Sequence, residues 1–208
     1  MTVFFIDSSY DLTWALIENK ETFHLHNSVE KKLSKNFHFE VFQKLSLMNI
    51  SFQKDIDSIL YCAGPGFYTG LRVSQVFSDL SGVKNLYNYF SYEVPFILGE
   101  QKYIWMTKAY RGEYFIYKFE KSQGVKILVS EKDDVTNLVE GFKVFAPDYF
   151  ILNQDNFLNK INAEIFRIKY SFDLLMEILN YSKKEKSRHN LYYFRLPEEE
   201  FKVSQHDQ

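Results

Sequence analysis

One cysteine, Cys62, stands in 208 residues, which excludes an intramolecular disulfide and a cysteine-based metal cluster. Neither sign of charge dominates. Twenty-five basic residues face 27 acidic ones, without the basic stripe that an autonomous nucleic-acid binder carries. Glycine occurs 8 times and never after Gly141. No apolar run approaches the ~20 residues that span a bilayer. The opening "MTVFFIDSS" lacks a cationic region ahead of a long apolar stretch, so it is no signal peptide. These absences predict a soluble cytoplasmic protein with no membrane contact. Aromatic residues are in excess at 18%, with 21 Phe and 15 Tyr. Much of that supplies core, and the excess directs attention to surface that a partner covers.

The front half reads as alternating elements. Strands are predicted over 3–7, 12–18 and 21–27, joined by "SSYD" and "NK" turns into an antiparallel meander. A helical pattern follows over 31–49, with Leu33, Phe37, Val41, Leu45 and Met48 on one stripe. "SILYC" (58–62) is continuously apolar, as a strand covered on both faces is. A helix is predicted from Thr69 to Gly82, a strand over 85–90, and a short helix over 92–98 capped by Ser91. From Lys102 the texture turns to β, with "KYIWMTK" and "EYFIYKFE" flanking "AYRG" and a third strand in "GVKILVSE". Short helices near 133–140 and 172–186 and strands at 142–146 and 165–170 follow. The segment "LYYFRLP" is read as a returning strand or an extended tail, and the polar end as frayed. No internal repeat is visible. The division falls at 98/99, giving lobes 1–98 and 99–200 with a tail at 201–208, in which helices pack on mixed sheet.

Between strand and helix lies "GPGFYTGLR", 64–72. A Walker loop needs Lys after its last glycine, and Leu71 follows Gly70 instead. The dinucleotide fingerprint also fails, because the glycines are spaced two and four. Two readings remain open on spacing alone. Backbone N–H groups at the helix N-terminus hold an anion, or Gly-Pro-Gly only shapes a turn whose helix is capped by Thr69.

The loop resembles the GPG-S-F-T-G-[LV]-R signature of the TsaB (YeaZ) family. "FFIDSSYDLTWALIEN" resembles that family's opening strand, I-D-[ST] and second strand. "KAYRGEYFIYKFE" resembles its D-A-R-x-G-E-V-Y hairpin, with Lys108 and Tyr110 departing from the pattern. "LYYFRLPEEEFK" resembles its near-terminal P-x-Y-[LV]-R segment. The resemblance implies an α/β, actin-like and sugar-kinase-like (ribonuclease H-like) fold of two lobes, the second reduced. It also implies a non-catalytic dimerisation and activating subunit that pairs with the catalytic subunit TsaD. With the ATPase TsaE, that complex threonylcarbamoylates adenosine in tRNA, and the tRNA meets this chain only through the complex. ATP and metal are then expected to belong to the partner subunits, with no cofactor bound by this chain alone.

The residues agree with a non-catalytic role. Catalytic relatives carry His-x-x-x-His, whose imidazoles share a helical face and bind a metal. The matching stretch "YFSYEVPF" has Ser91 and Pro95 at those positions. Asp7, Ser8, Gly64, Gly66, Thr69 and Gly70 are candidate remnants of a phosphate site. His24 and His26 alternate on one strand face without a third ligand nearby. An ATP-dependent small-molecule kinase of the same fold is the alternative, and it requires Asp7 and the loop to hold phosphate.

The docking expectation rests on the loop helix. Val73, Val76, Phe77 and Leu80 form an apolar stripe, and Gly70, Ser74, Ser78 and Ser81 a small one beside it. Together they span about 200°, twice the roughly 100° that one core uses. The small stripe is expected to admit a partner helix closely. Phe37, Val41, Leu45 and Met48 on the preceding helix complete the expected partner face, with Phe39, Phe42 and Leu47 pointing elsewhere. TsaD is the expected occupant, and the isolated chain is expected to form a two-fold dimer through the same face.

Overall fold

The computed structural model describes residues 1–18, 23–27, 37–110, 112–152, 157–186 and 189–194. The chain divides into two compact units, Met1–Ser91 with the segment from Ser171 onward, and Tyr92–Tyr170. The break therefore precedes the expected 98/99 division. The last helix belongs to the first unit rather than to a lobe spanning 99–200, because its apolar stripe is buried there. The tail at 201–208 lies outside the described residues.

In the first unit the chain runs β1 (Val3–Asp7), β2 (Thr13–Ile17), β3 (His24–Asn27), α1 (Phe37–Leu47), α2 (Phe52–Asp55), β4 (Ser58–Cys62), α3 (Tyr68–Leu80) and β5 (Asn85–Tyr89). The second holds α4 (Val94–Ile97), β6 (Lys102–Lys108), β7 (Glu113–Glu120), β8 (Gln123–Ser130), α5 (Thr136–Val139), β9 (Lys143–Pro147), α6 (Asp148–Leu152) and β10 (Ile165–Ile168). Helix α7 (Phe172–Glu185) completes the first unit. Ser171 caps α7 through its hydroxyl, which accepts from the Leu174 N–H. Ser91 does not cap a helix as expected. It opens a 3₁₀ turn, and its N–H donates to the Gly64 carbonyl. The short α2 and α6 had no periodic signal, being too brief to show one.

The sheet order is β3-β2-β1-β4-β5 in the first unit and β10-β9-β6-β7-β8 in the second. In each, three consecutive antiparallel strands are followed by two strands added in parallel. The second sheet is thus the first topology repeated, with β6–β8 in the roles of β1–β3 and β9–β10 in those of β4–β5. No sequence repeat announces this, because burial and strand pairing, not residue identity, define the topology.

Both β1 and β4 are buried throughout, as strands covered on both faces are. One face of the first sheet sets Phe4, Ile6, Trp14, Leu16, Ile59 and Tyr61 against α1, α2 and α3. Phe77 of α3 packs within 5.5 Å of the Phe4 ring and 5.2 Å of the Phe52 ring, measured between centroids. On the other side, α7 lies against β5 and buries Leu174, Leu175, Ile178 and Leu179. The second unit has its own core around Ile104, Ile116, Val144 and Phe150. Among the described residues no helix is long and apolar enough to cross a membrane.

Phe77 touches three other rings at the centre of the first core. Phe77→Ala is expected to cost about 3–5 kcal/mol of unfolding free energy, as cavity-forming core truncations do. Urea denaturation, with an unchanged dependence on denaturant, is the measurement.

Candidate functional site

Strand β4 ends at Cys62, and the chain passes through Ala63-Gly64-Pro65-Gly66 into α3. The helix starts at Tyr68, with Phe67 at the cap position and no side-chain cap. Thr69 is therefore not the cap that the sequence suggests; it sits exposed in the first turn. The expected phosphate-site remnants do come together. Ser8 donates its hydroxyl to the Gly70 carbonyl at 2.6 Å and also hydrogen-bonds the Ser74 hydroxyl. The Ser9 carbonyl accepts from the Phe67 N–H at 2.9 Å. The Ser9 N–H in turn donates to Asp7 Oδ1 at 2.9 Å, which closes the turn after β1.

That arrangement ties part of the loop to the chain itself. The Ser8 hydroxyl and the Phe67 N–H are already used within the chain, and the Gly64 N–H points to Cys62 Sγ at 3.4 Å. A buried carboxylate, Asp7, stands beside the loop. The glycines serve a different approach. A Cβ on Gly66 would lie 2.6 Å from the Ser9 carbonyl oxygen, and one on Gly64 (φ +116°) would overlap the Tyr192 carbonyl. Backbone comes close here, but it is the chain's own.

Cys62 is fully buried. Burial first, then the charge of Asp7, pushes its thiol well above the usual range, so it is no thiolate nucleophile. His26 stacks on Trp14 at 4.2 Å, and its Nδ1 is 3.1 Å from Lys44 Nζ. Burial, followed by the Lys44 ammonium, holds that imidazole below its ordinary range. A lysine at ligand distance is the opposite of what a cation site on His24 and His26 needs. Among the described residues, no three His, Cys, Asp or Glu side chains gather.

The small stripe of α3 does not face a partner as the sequence suggests, and the apolar stripe is split, with Phe77 in the core and Val76 and Leu80 exposed. Gly70, Ser74, Ser78 and Ser81 are buried in the unit, next to the turn after β1, instead of facing a partner. Their hydroxyls are satisfied locally. Ser78 donates to the Ser74 carbonyl and Ser81 to the Ser78 carbonyl. The physical reason is close approach: small side chains let α3 lie against β1 and β4, with Ser8 bonded to its backbone. Phe77, Val41 and Leu45 are likewise core residues, not docking residues. Met48 and Val73 are half-buried against that core. Phe37 opens α1, and its side chain lies outside the described residues.

What stays outside is a second apolar set. Leu80 is 81% exposed, Leu47 80%, Phe39 68%, Phe42 49% and Val76 42%. Val73, Val76 and Leu80 share one stripe of α3 at spacings of three and four. The helices meet where the Phe42 ring lies 6.2 Å from that of Phe77. Of these residues only Leu80 and Val73 were in the expected docking set. Val76 was legible as part of the apolar stripe of α3, and the signal for Phe39, Phe42 and Leu47 was their place outside the main stripe of α1.

The buried thiol makes stability sensitive to pH in one direction. In the unfolded chain Cys62 ionises near its ordinary pKa of about 8.5. In the folded chain its raised pKa keeps the proton, so the unfolded state alone releases it. Stability is then full below about pH 8 and falls as pH rises above that, by up to about 1.4 kcal/mol per pH unit. Cys62→Ala is expected to lack this slope, read as the difference between the two proteins' urea midpoints from pH 7 to 10.

Solved structures of similar architecture are known. An uncharacterized protein with similarity to peptidase YeaZ from Pseudomonas aeruginosa shares 14% identity at a TM-score of 0.58, over 94% of this chain and 97% of that one. YeaZ from Pseudomonas aeruginosa shares 13% at 0.56, over 88% and 92%. The ethanolamine utilization protein EutJ from Carboxydothermus hydrogenoformans shares 10% at 0.50, over 86% and 89%. No protein-family model matches the chain, and no curated protein does. At these identities the likeness is one of fold, and by it this chain has the YeaZ fold, within the actin-like, ribonuclease H-like class.

Proposed function

We propose that this chain is a non-catalytic, activating partner subunit that pairs with TsaD in the threonylcarbamoylation of adenosine in tRNA. The observation that carries the proposal is the apolar set left uncovered on α1 and α3: Phe39, Phe42, Leu47, Val76 and Leu80. Burying a large apolar side chain contributes about 1.5–3 kcal/mol. Five from this side and a matching set from a homologue offset the roughly 4–15 kcal/mol that association costs. The four helices would form a bundle, and in the absence of TsaD a second copy of this chain would take its place across a two-fold axis.

The reading assigns chemistry elsewhere. Ser91 and Pro95 stand where a catalytic relative needs its metal-binding histidines. The Ser8 hydroxyl and the Gly64 and Phe67 N–H groups are engaged within the chain, and the one thiol is buried and protonated. ATP, metal and TsaE therefore belong to the partner side of the complex, and tRNA reaches this chain only through it. These features favour the subunit over a kinase, which would need the loop free for phosphate.

Leu80→Glu and Leu47→Glu place a carboxylate where the partner helices would pack. Each is expected to weaken self-association and TsaD binding by about a hundredfold or more, since an unpaired buried charge costs several kcal/mol. Melting temperature should stay within about two degrees, because both residues are exposed in the lone chain. Sedimentation equilibrium and a pull-down with TsaD are the measurements. Undiminished association by both folded variants would refute the face.

A further inference from the structure

Helix α7 ends at Glu185, and residues 189–194 then cross the unit without joining a sheet. They are nevertheless held at His189 and again at Tyr192, Tyr193 and Phe194. The fully buried side chain of Asn88 pairs with the His189 backbone as a strand would. Its Oδ1 accepts from the His189 N–H at 2.7 Å, and its Nδ2 donates to the His189 carbonyl at 2.9 Å. The His189 ring stacks on Phe90 at 4.5 Å. Further on, the Tyr192 N–H donates to the Ala63 carbonyl at 2.8 Å, and the Phe194 N–H to Gly66 at 3.4 Å. Tyr193 forms a parallel bridge with Gly66. The Tyr193 ring lies 4.9 Å from Tyr68, and the Phe194 ring 5.8 Å from Phe67.

Ala63 and Gly66 follow the carboxyl end of β4, and Asn88 sits near that of the neighbouring parallel strand β5. In open α/β sheets the crevice outside the carboxyl ends of parallel strands is where ligands lodge. A peptide that adds itself to exposed backbone of this kind is held by main-chain bonds and ring contacts. Gly64 lacks a Cβ at the spot where the Tyr192 carbonyl rests.

We propose that residues 189–194 are a built-in occupant of this crevice, a strap that closes the glycine loop to phosphate-bearing ligands and fixes the first turn of α3. The Gly64 and Gly66 positions that suggest a ligand grip are explained by two segments of the same chain, Tyr192 against Gly64 and Ser9 against Gly66. This inference goes beyond the partner-subunit reading and stands whether or not TsaD covers α1 and α3.

Backbone hydrogen exchange on the intact chain tests it without any partner. The amides of His189, Tyr192 and Phe194 should be protected although they follow the last helix. Asn88→Ala should speed exchange at all three by roughly tenfold or more, as loss of two hydrogen bonds predicts. The Phe67 and Leu71 amides should follow, while those within β4 stay slow. Tyr193→Ala, which leaves the core untouched, repeats the test should Asn88→Ala fail to fold. Titration of the intact chain with pyrophosphate should show no saturable binding. Exchange of the three strap amides at the rate of an unstructured peptide would overturn the proposal. So would pyrophosphate binding while they remain protected, or strap exchange unchanged in both folded variants.

Discussion

The approach of Gly66 to Ser9 sets the position of everything that matters on the first unit. With no Cβ at Gly66, the turn after β1 can lie directly against the loop after β4, and the Ser9 carbonyl takes the Phe67 N–H. That contact aims the start of α3 along the sheet. Ser8 then ties the helix down through the Gly70 carbonyl and the Ser74 hydroxyl. A side chain at 66 would collide with the Ser9 backbone, so the loop could not keep this approach.

Close seating of α3 decides which of its faces is left over. The inward arc is filled by Gly70, Ser74, Phe77, Ser78 and Ser81, and the apolar stripe of Val73, Val76 and Leu80 turns toward the outside. Buried serines are tolerable because each hydroxyl described here has a carbonyl or hydroxyl partner within hydrogen-bond reach. The exposed leucine is different. A side chain left 81% accessible on a well-packed helix gains nothing inside its own unit. Together with the exposed Phe39, Phe42 and Leu47 of α1 it is the apolar surface on which the proposed pairing rests.

The aromatic surplus divides between two tasks. Within the core, Phe4, Trp14, Phe52 and Phe77 interlock edge-on and stacked, which fills volume with few rotamers. Around the loop, Tyr10, Phe67, Phe90, Tyr192 and Tyr193 instead hold backbone segments together from the side. The same residue types therefore serve as core in one place and as fasteners in another, which composition alone does not separate.

Local pattern determined a great deal. The short strands at 3–7 and 12–18, the continuously apolar 58–62, the loop-to-helix transition and the hairpin after Lys102 all appear close to where local pattern places them, because neighbours along the chain decide these elements. Tertiary structure decided the rest. That the serine stripe of α3 turns inward beside Phe77 depends on how near β1 lets the helix come. Whether Gly64 admits a ligand or Tyr192 depends on where a segment some 130 residues later returns, as roughly a hundred separate Asn88 from His189. The repeat of one sheet topology in both units leaves no trace in residue identity. Distances between remote segments are set only when the core closes, and a reading of successive residues has no access to them.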